Sequence, residues 1–255
     1  MVFYHGGGFV ITGTEQHLKM VMNFVKWADG RLAVFCVCYT LAPEAVYPTQ
    51  LGQAVEALRY ALTLPGRSPE NTLIGGDSAG GNLVLALTSH ISGHQHPRTD
   101  IVRPLDIKSN LKGALAIAPW TSSDKQKYES MQGIPERDII TNVASHYWLA
   151  LYRGEGETVD DIYIAMAHAE ADWWQGSKID HMLCTAGGNE ILLDSIVDFA
   201  EKYRSAMGSD RIHLVVGEHE THDAPLDSMP ESKIDRLGES CQEGGIRNWI
   251  RQQLL

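Results

Sequence analysis

Short hydrophobic runs alternate along this chain with segments whose hydrophobic residues recur at helical spacing. The short runs predict strands at Val2–Tyr4, Leu32–Tyr39, Thr72–Gly75, Leu111–Ala118, His181–Ala186 and Ile212–Val216. The periodic segments predict helices at Leu18–Trp27, Pro48–Leu62, Gly80–Ser89, Ile140–Tyr152, Leu192–Tyr203 and Ile246–Leu255. Leu32–Tyr39 is almost wholly apolar, as expected of a strand covered on both faces. The alternation predicts an α/β fold with a mainly parallel central sheet and helices on both faces.

One stretch breaks this alternation. Residues 121–178 hold a single predicted helix, an acidic stretch that contains glycine, and the pair Trp173–Trp174. We interpret the stretch as a cap-like insertion over the C-terminal edge of the sheet, where open α/β sheets bind their ligands. The chain has 255 residues and is predicted to form one domain, 1–255.

Composition excludes several classes of function. The chain carries 32 acidic and 21 basic residues, a formal charge of −11, which disfavours nucleic acid as a partner. No apolar run approaches the roughly 18 residues that span a bilayer. Four cysteines lack the spacing of a metal site or a disulfide framework, so we expect buried, reduced thiols and a reducing compartment such as the cytoplasm: Cys36, Cys38, Cys184 and Cys241.

The segment Gly76–Gly80 fits the pattern G-x-S-x-G between a predicted strand and a predicted helix. A sharp strand-to-helix turn leaves no room for side chains two residues before and after its centre, so glycine is required at both positions. Such a turn exposes the Ser78 hydroxyl at a helix N-terminus, where free N–H groups favour negative charge. We predict that Ser78 is a nucleophile; the alternative is a glycine-rich, phosphate-binding loop with an incidental serine.

A second glycine-rich motif, His5–Phe9 (HGGGF), follows the first predicted strand. Consecutive glycines allow several backbone N–H groups to converge on one point. Acyl transfer requires such donors, because its tetrahedral intermediate carries a negative charge on oxygen. In lipases and esterases an HGGG loop forms one half of this oxyanion hole, and the N–H after the nucleophile, here Ala79, forms the other. The alternative is a flexible glycine hinge.

A serine nucleophile requires a base and an acid, which follow it in the order acid, histidine in this class of fold. The last predicted strand is followed by two candidate bases, and we prefer His222 to His219, which lies between two glutamates and is expected to be solvated. For the acid we prefer Glu190, which lies just past the preceding strand, to Asp194, which is expected in the first turn of a helix.

Together these motifs resemble the hormone-sensitive-lipase-like family of α/β-hydrolases, which includes microbial carboxylesterases, arylacetamide deacetylases and fungal steryl acetyl hydrolases. The segments that carry the resemblance are His5–Phe9, Tyr39–Glu44 with Tyr47–Pro48, Gly75–Asn82, Ala118–Trp120, Gly187–Asp194 and His222–Asp223. The resemblance implies an α/β-hydrolase fold, oxyanion donors at Gly7, Gly8 and Ala79, Ser78 as nucleophile and His222 as base. The family's acid, commonly an aspartate, maps onto Glu190.

Members of that family carry a cap segment and at least two strands before the HGGG loop, whereas this chain begins four residues before it. If the chain is complete, we expect an open active site and a sheet edge that a partner chain, such as a second copy, could cover. Adding an upstream segment is expected to raise soluble yield and activity. Membrane association is left open.

The sequence therefore predicts a serine carboxylic-ester hydrolase that uses no metal and no organic cofactor. Resemblance implies small-acyl substrates, such as acetyl esters of apolar alcohols from lipid, sterol or secondary metabolism. Phe9, Trp120 and Asp77 are candidate substrate-pocket residues. The alternatives are a receptor-like or catalytically impaired binding protein, and an amide or carbamate hydrolase with the same triad. Three clustered histidines are expected to be solvated rather than to bind metal: His90, His94 and His96.

Overall fold

The computed structural model describes residues 1–132, 137–154 and 161–254, and a six-stranded sheet runs through its centre. The strands are β1 (Val2–Tyr4), β2 (Phe35–Val37), β3 (Leu73–Asp77), β4 (Leu111–Ile117), β5 (Ile179–Gly187) and β6 (Ile212–Gly217). Their order is β2-β1-β3-β4-β5-β6, and every neighbouring pair is parallel. The predicted parallel α/β architecture is confirmed.

Helices cover both faces of the sheet because neighbouring strand residues point to opposite sides. The helices are α1 (Glu15–Trp27), α2 (Thr49–Thr63), α3 (Ala79–Ile91), α4 (Asn142–Arg153), α5 (Leu193–Met207), α6 (Glu231–Leu237) and α7 (Gln242–Gln253). On one face Tyr4 and Ile74 join a core with α2, α3 and α5. On the other face Phe3 and Leu73 join a core with α1, α6 and α7.

The order of the strands places a ligand crevice between β1 and β3. From β1 the chain moves outward to β2, and from β3 it proceeds in the opposite direction to β6. Loops that leave the carboxyl ends of β1 and β3 therefore diverge to opposite sides, and open α/β sheets bind ligands in such a crevice. The HGGG loop follows β1 and Ser78 follows β3, so both motifs lie at this point.

The prediction for Leu32–Tyr39 was wrong in extent and in burial. Only Phe35–Val37 forms a strand, and it lies at the edge of the sheet, where Phe35 is 42% exposed. The same edge position exposes Cys36 and Cys38, so the prediction of buried thiols holds only for Cys184 and Cys241. An apolar run alone does not distinguish a central strand from an edge strand.

The prediction of solvated histidines was also wrong for two of the three. His90 and His96 are buried, and His90 Nδ1 accepts a hydrogen bond from the backbone N–H of His96 at 3.1 Å. His94 stacks on Trp173 with 3.8 Å between the ring centroids. The ring nitrogens of His90 and His96 thus bond to backbone and side-chain groups, and the three rings hold the polar loop against the fold.

Between Thr121 and Lys178 the described residues contain α4 and short 3₁₀ turns. Trp174 belongs to the core, where it packs on Phe199 and Tyr203. Much of the predicted acidic stretch falls at 155–160, outside the described residues. Across the described part of the chain, no helix has the length and apolar character needed to cross a membrane.

Candidate active site

Ser78 occupies a strained turn between β3 and α3. Its φ is +50°, a left-handed conformation that side chains rarely adopt. A Cβ at Gly76 would collide with the backbone of Gly80, and a Cβ at Gly80 would collide with the carbonyl oxygen of Tyr4. The steric requirement for glycine at these two positions is therefore confirmed. The turn is held by the Ser78 N–H, which donates to the Ile117 carbonyl at 2.8 Å.

His222 lies in the loop after β6 and contacts the serine directly. Its Nε2 is 2.8 Å from Ser78 Oγ, and the two residues are 144 positions apart in the chain. The serine is 7% exposed and the histidine 2%. His219, by contrast, is exposed, as the sequence predicted. The structure thus brings together the predicted nucleophile and the preferred base.

Glu190 lies on the opposite side of the imidazole from the serine. The carboxylate is 2% exposed, and its Oε2 accepts the Gly187 N–H at 2.8 Å. Its Oε1 lies 3.8 Å from His222 Nδ1, and neither of these two atoms has another hydrogen-bond partner among the described residues. Closing this gap by about 1 Å would form a hydrogen bond. Asp194 instead accepts the Ser130 N–H at 2.7 Å from the first turn of α5.

The glycines after β1 adopt conformations that turn the chain around the nucleophile. Gly7 and Gly8 have φ values of +106° and +60°. No described residue accepts a hydrogen bond from either N–H, and Ala79 begins α3, so its N–H has no partner within the helix. These three N–H groups are available to an oxyanion. From α4, the Trp148 ring packs on Gly8 and leaves no room for a side chain there.

Asp77 was predicted to line the substrate pocket, but its side chain instead lies buried against the HGGG loop and holds it in place. Its side chain is fully buried, and its Oδ2 accepts the Gly6 N–H at 3.0 Å. The same oxygen lies 3.1 Å from His17 Nε2, whose ring accepts the Thr14 N–H at Nδ1, so Nε2 carries the proton. Burial acts to lower the pKa of His17, but its bond to Asp77 raises that pKa above its usual value.

A cavity of about 320 Å³ begins one helical turn from Ser78. Phe9 and Trp120 line it, and the Phe9 ring stacks on Tyr152 with 3.7 Å between centroids. Asn82 also lines the cavity and donates from Nδ2 to the carbonyl oxygens of Trp120 and Ile164, both at 2.8 Å. The structure therefore places two of the three predicted pocket residues, Phe9 and Trp120, on the wall of this cavity.

Asp138, from the segment between β4 and β5, connects the two loops that carry Glu190 and His222. Its Oδ2 accepts the Ile191 N–H at 2.8 Å, and its Oδ1 accepts the His222 N–H at 3.0 Å. One carboxylate thus fixes the backbone beside Glu190 and the backbone of the histidine itself.

The sequence reasoning missed three of these residues. Asn82 is part of the GDSAGGN motif, so its position next to the nucleophile was a usable signal. His17 completes a capping pair with Thr14 at the start of α1, a weaker signal. Asp138 left no signal, because a carboxylate that bonds to distant backbone groups produces no sequence pattern. The described residues contain no group of three or more His, Cys, Asp or Glu arranged to hold a metal ion.

Comparison with known proteins agrees with this geometry. Residues 1–225 match the family described as alpha/beta hydrolase fold. Steryl acetyl hydrolase 1 of Saccharomyces cerevisiae is 27% identical over 204 residues, which cover 75% of this chain and 45% of that protein. Hormone-sensitive lipase of Mus musculus is 36% identical over 91 residues, 34% of this chain and 12% of the lipase. The chain thus spans less than half of either relative.

A solved esterase/lipase from an uncultured bacterium superposes with a TM-score of 0.76 and 25% identity, covering 99% of this chain and 76% of that one. Family match, relatives and fold agree on one assignment. The chain belongs to the α/β-hydrolase fold family, in the branch that resembles hormone-sensitive lipase.

Proposed function

We propose that this protein is a serine carboxylic-ester hydrolase with Ser78, His222 and Glu190 as its catalytic triad. The observation that carries the proposal is the 2.8 Å contact between Ser78 Oγ and His222 Nε2, made at the carboxyl edge of the sheet. A serine hydroxyl is a weak nucleophile at neutral pH, and a neutral imidazole at hydrogen-bond distance can accept its proton.

In the acylation step Ser78 Oγ attacks the ester carbonyl carbon while its proton moves to His222 Nε2. The carbonyl oxygen becomes an oxyanion, which receives hydrogen bonds from the N–H groups of Gly7, Gly8 and Ala79. Losing one such donor typically raises the barrier by about 3 kcal/mol. The imidazolium then gives its Nε2 proton to the leaving alkoxide oxygen, and the carbon–oxygen bond of the ester breaks.

In the deacylation step water replaces the alcohol. His222 Nε2 accepts a proton from this water as its oxygen attacks the acyl-enzyme, and returns that proton to Ser78 Oγ when the carboxylic acid leaves. Glu190 faces Nδ1 throughout and stabilises the tautomer and the positive charge of the ring. Burial raises the pKa of Glu190, opposed by the adjacent imidazole and by the Gly187 N–H.

For the substrate we propose small-acyl esters, such as acetates, of apolar alcohols. Two observations support this class. The cavity that Asn82 lines, one helical turn from Ser78, has an apolar part formed by residues that include Phe9, Trp120 and Leu149. The yeast relative is named for the hydrolysis of steryl acetates. Retention of both the base and the acid beside Ser78 favours catalysis over a receptor-like role, whereas the choice between ester and amide depends on the leaving group.

The test replaces Ser78 by alanine and measures hydrolysis of p-nitrophenyl acetate, p-nitrophenyl octanoate and p-nitroacetanilide. The wild type is expected to cleave the acetate fastest and the anilide slowest. For every substrate that the wild type cleaves, kcat of Ser78→Ala is expected to be lower by at least about 10³-fold. Ser109→Ala is the control, because Ser109 precedes β4 at the opposite end of the sheet and should leave activity unchanged. Esterase activity retained by Ser78→Ala would refute the proposal, and faster cleavage of octanoate would refute the acyl preference alone.

A further inference from the structure

A second carboxylate contacts the proposed base, on the side opposite Glu190. Asp223 Oδ2 lies 3.2 Å from His222 Nε2, the same nitrogen that faces Ser78 Oγ. Asp223 is 6% exposed, and its Oδ1 has no hydrogen-bond partner among the described residues. Its φ of +48° is a left-handed conformation. Backbone strain and a buried, unpartnered oxygen at one residue are features found at functional sites.

We propose that Asp223 is a second acidic partner of His222. Its carboxylate favours the protonated form of Nε2 and thereby sets the pH range in which Ser78 is activated. This inference rests on the proposed triad and adds a residue to it. The triad mechanism does not require Asp223.

The protonation state of Nε2 explains why the contact between His222 and Asp223 matters. A bare Nε2 lone pair and an ionised carboxylate repel each other, so a contact at 3.2 Å requires a proton on one of the two atoms. When Nε2 is protonated, the imidazolium forms an ion pair with the Asp223 carboxylate, and Nε2 then offers no acceptor to the Ser78 hydroxyl. Once this proton leaves, Nε2 can accept from Ser78 and activate it.

The surrounding charges favour the proton-bound form. Asp223 is faced by His222 of its own loop, by Asp77 at the end of β3, by Glu190 after β5 and by His17 of α1. Burial alone would lower the pKa of His222, but the carboxylates of Asp223 and Glu190 raise it well above its usual value. Burial raises the pKa of Asp223, although the adjacent His222 opposes this. The three buried carboxylates of Asp77, Glu190 and Asp223 therefore lie around the imidazoles of His17 and His222.

The contact has opposite effects in the free enzyme and during turnover. In the free enzyme the contact stabilises the inactive imidazolium. As the pH is lowered, activity is therefore lost at a higher pH than in an enzyme whose histidine has no such carboxylate beside Nε2. During acylation it stabilises the imidazolium that forms as Ser78 attacks, and the imidazolium then gives its Nε2 proton to the leaving oxygen. Removing the Asp223 carboxylate should therefore raise kcat/KM at low pH and lower it at high pH.

The experiment measures kcat/KM for p-nitrophenyl acetate from pH 5 to 10 in wild type and Asp223→Asn. Asparagine keeps the size and tolerates the left-handed backbone while removing the charge. We expect the acid limb to move to lower pH by about one unit or more, the shift typical of a neighbouring opposite charge. Above this limb the variant should be several-fold slower, since a weaker base accepts the proton less readily.

Asp227→Asn is the matched control, because it removes the same charge from an exposed position four residues further along the same segment. An acid limb of Asp223→Asn that coincides with those of wild type and Asp227→Asn would overturn the inference while leaving Ser78 and His222 intact. If Asp223→Asn does not fold, Asp223→Gly provides the same test, because glycine also accepts a positive φ. The wild type gives an independent test: an acid limb at or below about pH 6.5, the ordinary value for histidine, would contradict the inference.

Discussion

At the scale of single residues, backbone strain is concentrated around the nucleophile. Five non-glycine residues among those described have a positive φ, and four of them surround the site: Phe9, Ser78, Ala118 and Asp223. Each such conformation costs on the order of 1–3 kcal/mol and persists only where the surrounding structure enforces it. Part of the folding free energy is thus used to hold the reacting groups in place before substrate binds.

The identity of the acid is also decided at this scale. Glu190→Gln should lower kcat by about 10³–10⁴-fold, because a neutral amide neither fixes the tautomer of His222 nor stabilises its charge. Asp194→Asn is the matched comparison, since it removes a carboxylate four residues away and keeps an oxygen that can accept from Ser130 N–H. We expect Asp194→Asn to stay within about threefold of wild type. Steady-state hydrolysis of p-nitrophenyl acetate measures both, and a larger loss in Asp194→Asn would reverse the assignment.

Residues of the two glycine motifs could be identified from the sequence because their requirement is local and steric. Gly76 and Gly80 flank Ser78 at fixed positions, and any side chain there meets backbone. Asp77 was placed in the substrate pocket, but a buried carboxylate beneath a loop and an exposed one beside it look the same in sequence. Only the Gly6 and His17 contacts decide between them.

At the scale of elements, the segment between β4 and β5 contributes to the geometry of the triad through Asp138. Its carboxylate accepts the N–H of Ile191 and of His222 and so ties the loop after β5 to the loop after β6. The Glu190–His222 separation depends on these two loops. The segment therefore does more than cover the site.

We expect Asp138→Ala to lower kcat by about ten- to hundredfold with a smaller change in KM, because a displacement of about 1 Å in a catalytic group costs on that order. Asp138→Asn, which keeps one acceptor oxygen, should lose less. Kinetics on p-nitrophenyl acetate measure these effects. Asp172→Ala is the control, an exposed acidic residue in the same segment. Equal kinetics in Asp138→Ala and Asp172→Ala would show that the bridge does not position the triad.

Most elements follow from hydrophobic periodicity, which is why the six strands and six of the seven described α-helices were predicted in the right order, whereas the short helix α6 was not predicted. The errors arose where burial depends on neighbours in space. An apolar run at Leu32–Tyr39 became a three-residue edge strand, and histidines in a polar loop became buried packing groups. The role of Asp138 was not predictable, because the two loops that it joins lie more than 50 residues away in the chain.

At the scale of the whole molecule, the parallel sheet brings four distant loops to one edge. The HGGG loop leaves β1, Ser78 leaves β3, Glu190 follows β5 and His222 follows β6. Since all strands are parallel, these loops share the carboxyl edge, and the reversal of strand order beside β1 opens the crevice between them. The fold thus explains how residues far apart in the chain can meet at the proposed reaction centre.

The most direct test of this account is a crystal structure of the protein after reaction with a fluorophosphonate, whose tetrahedral phosphorus mimics the intermediate of ester hydrolysis. We predict a covalent bond from phosphorus to Ser78 Oγ, a phosphoryl oxygen within about 3 Å of the N–H groups of Gly7, Gly8 and Ala79, and His222 Nε2 beside the adduct. Phosphorus attached to another residue, or a phosphoryl oxygen directed away from these three N–H groups, would contradict the account.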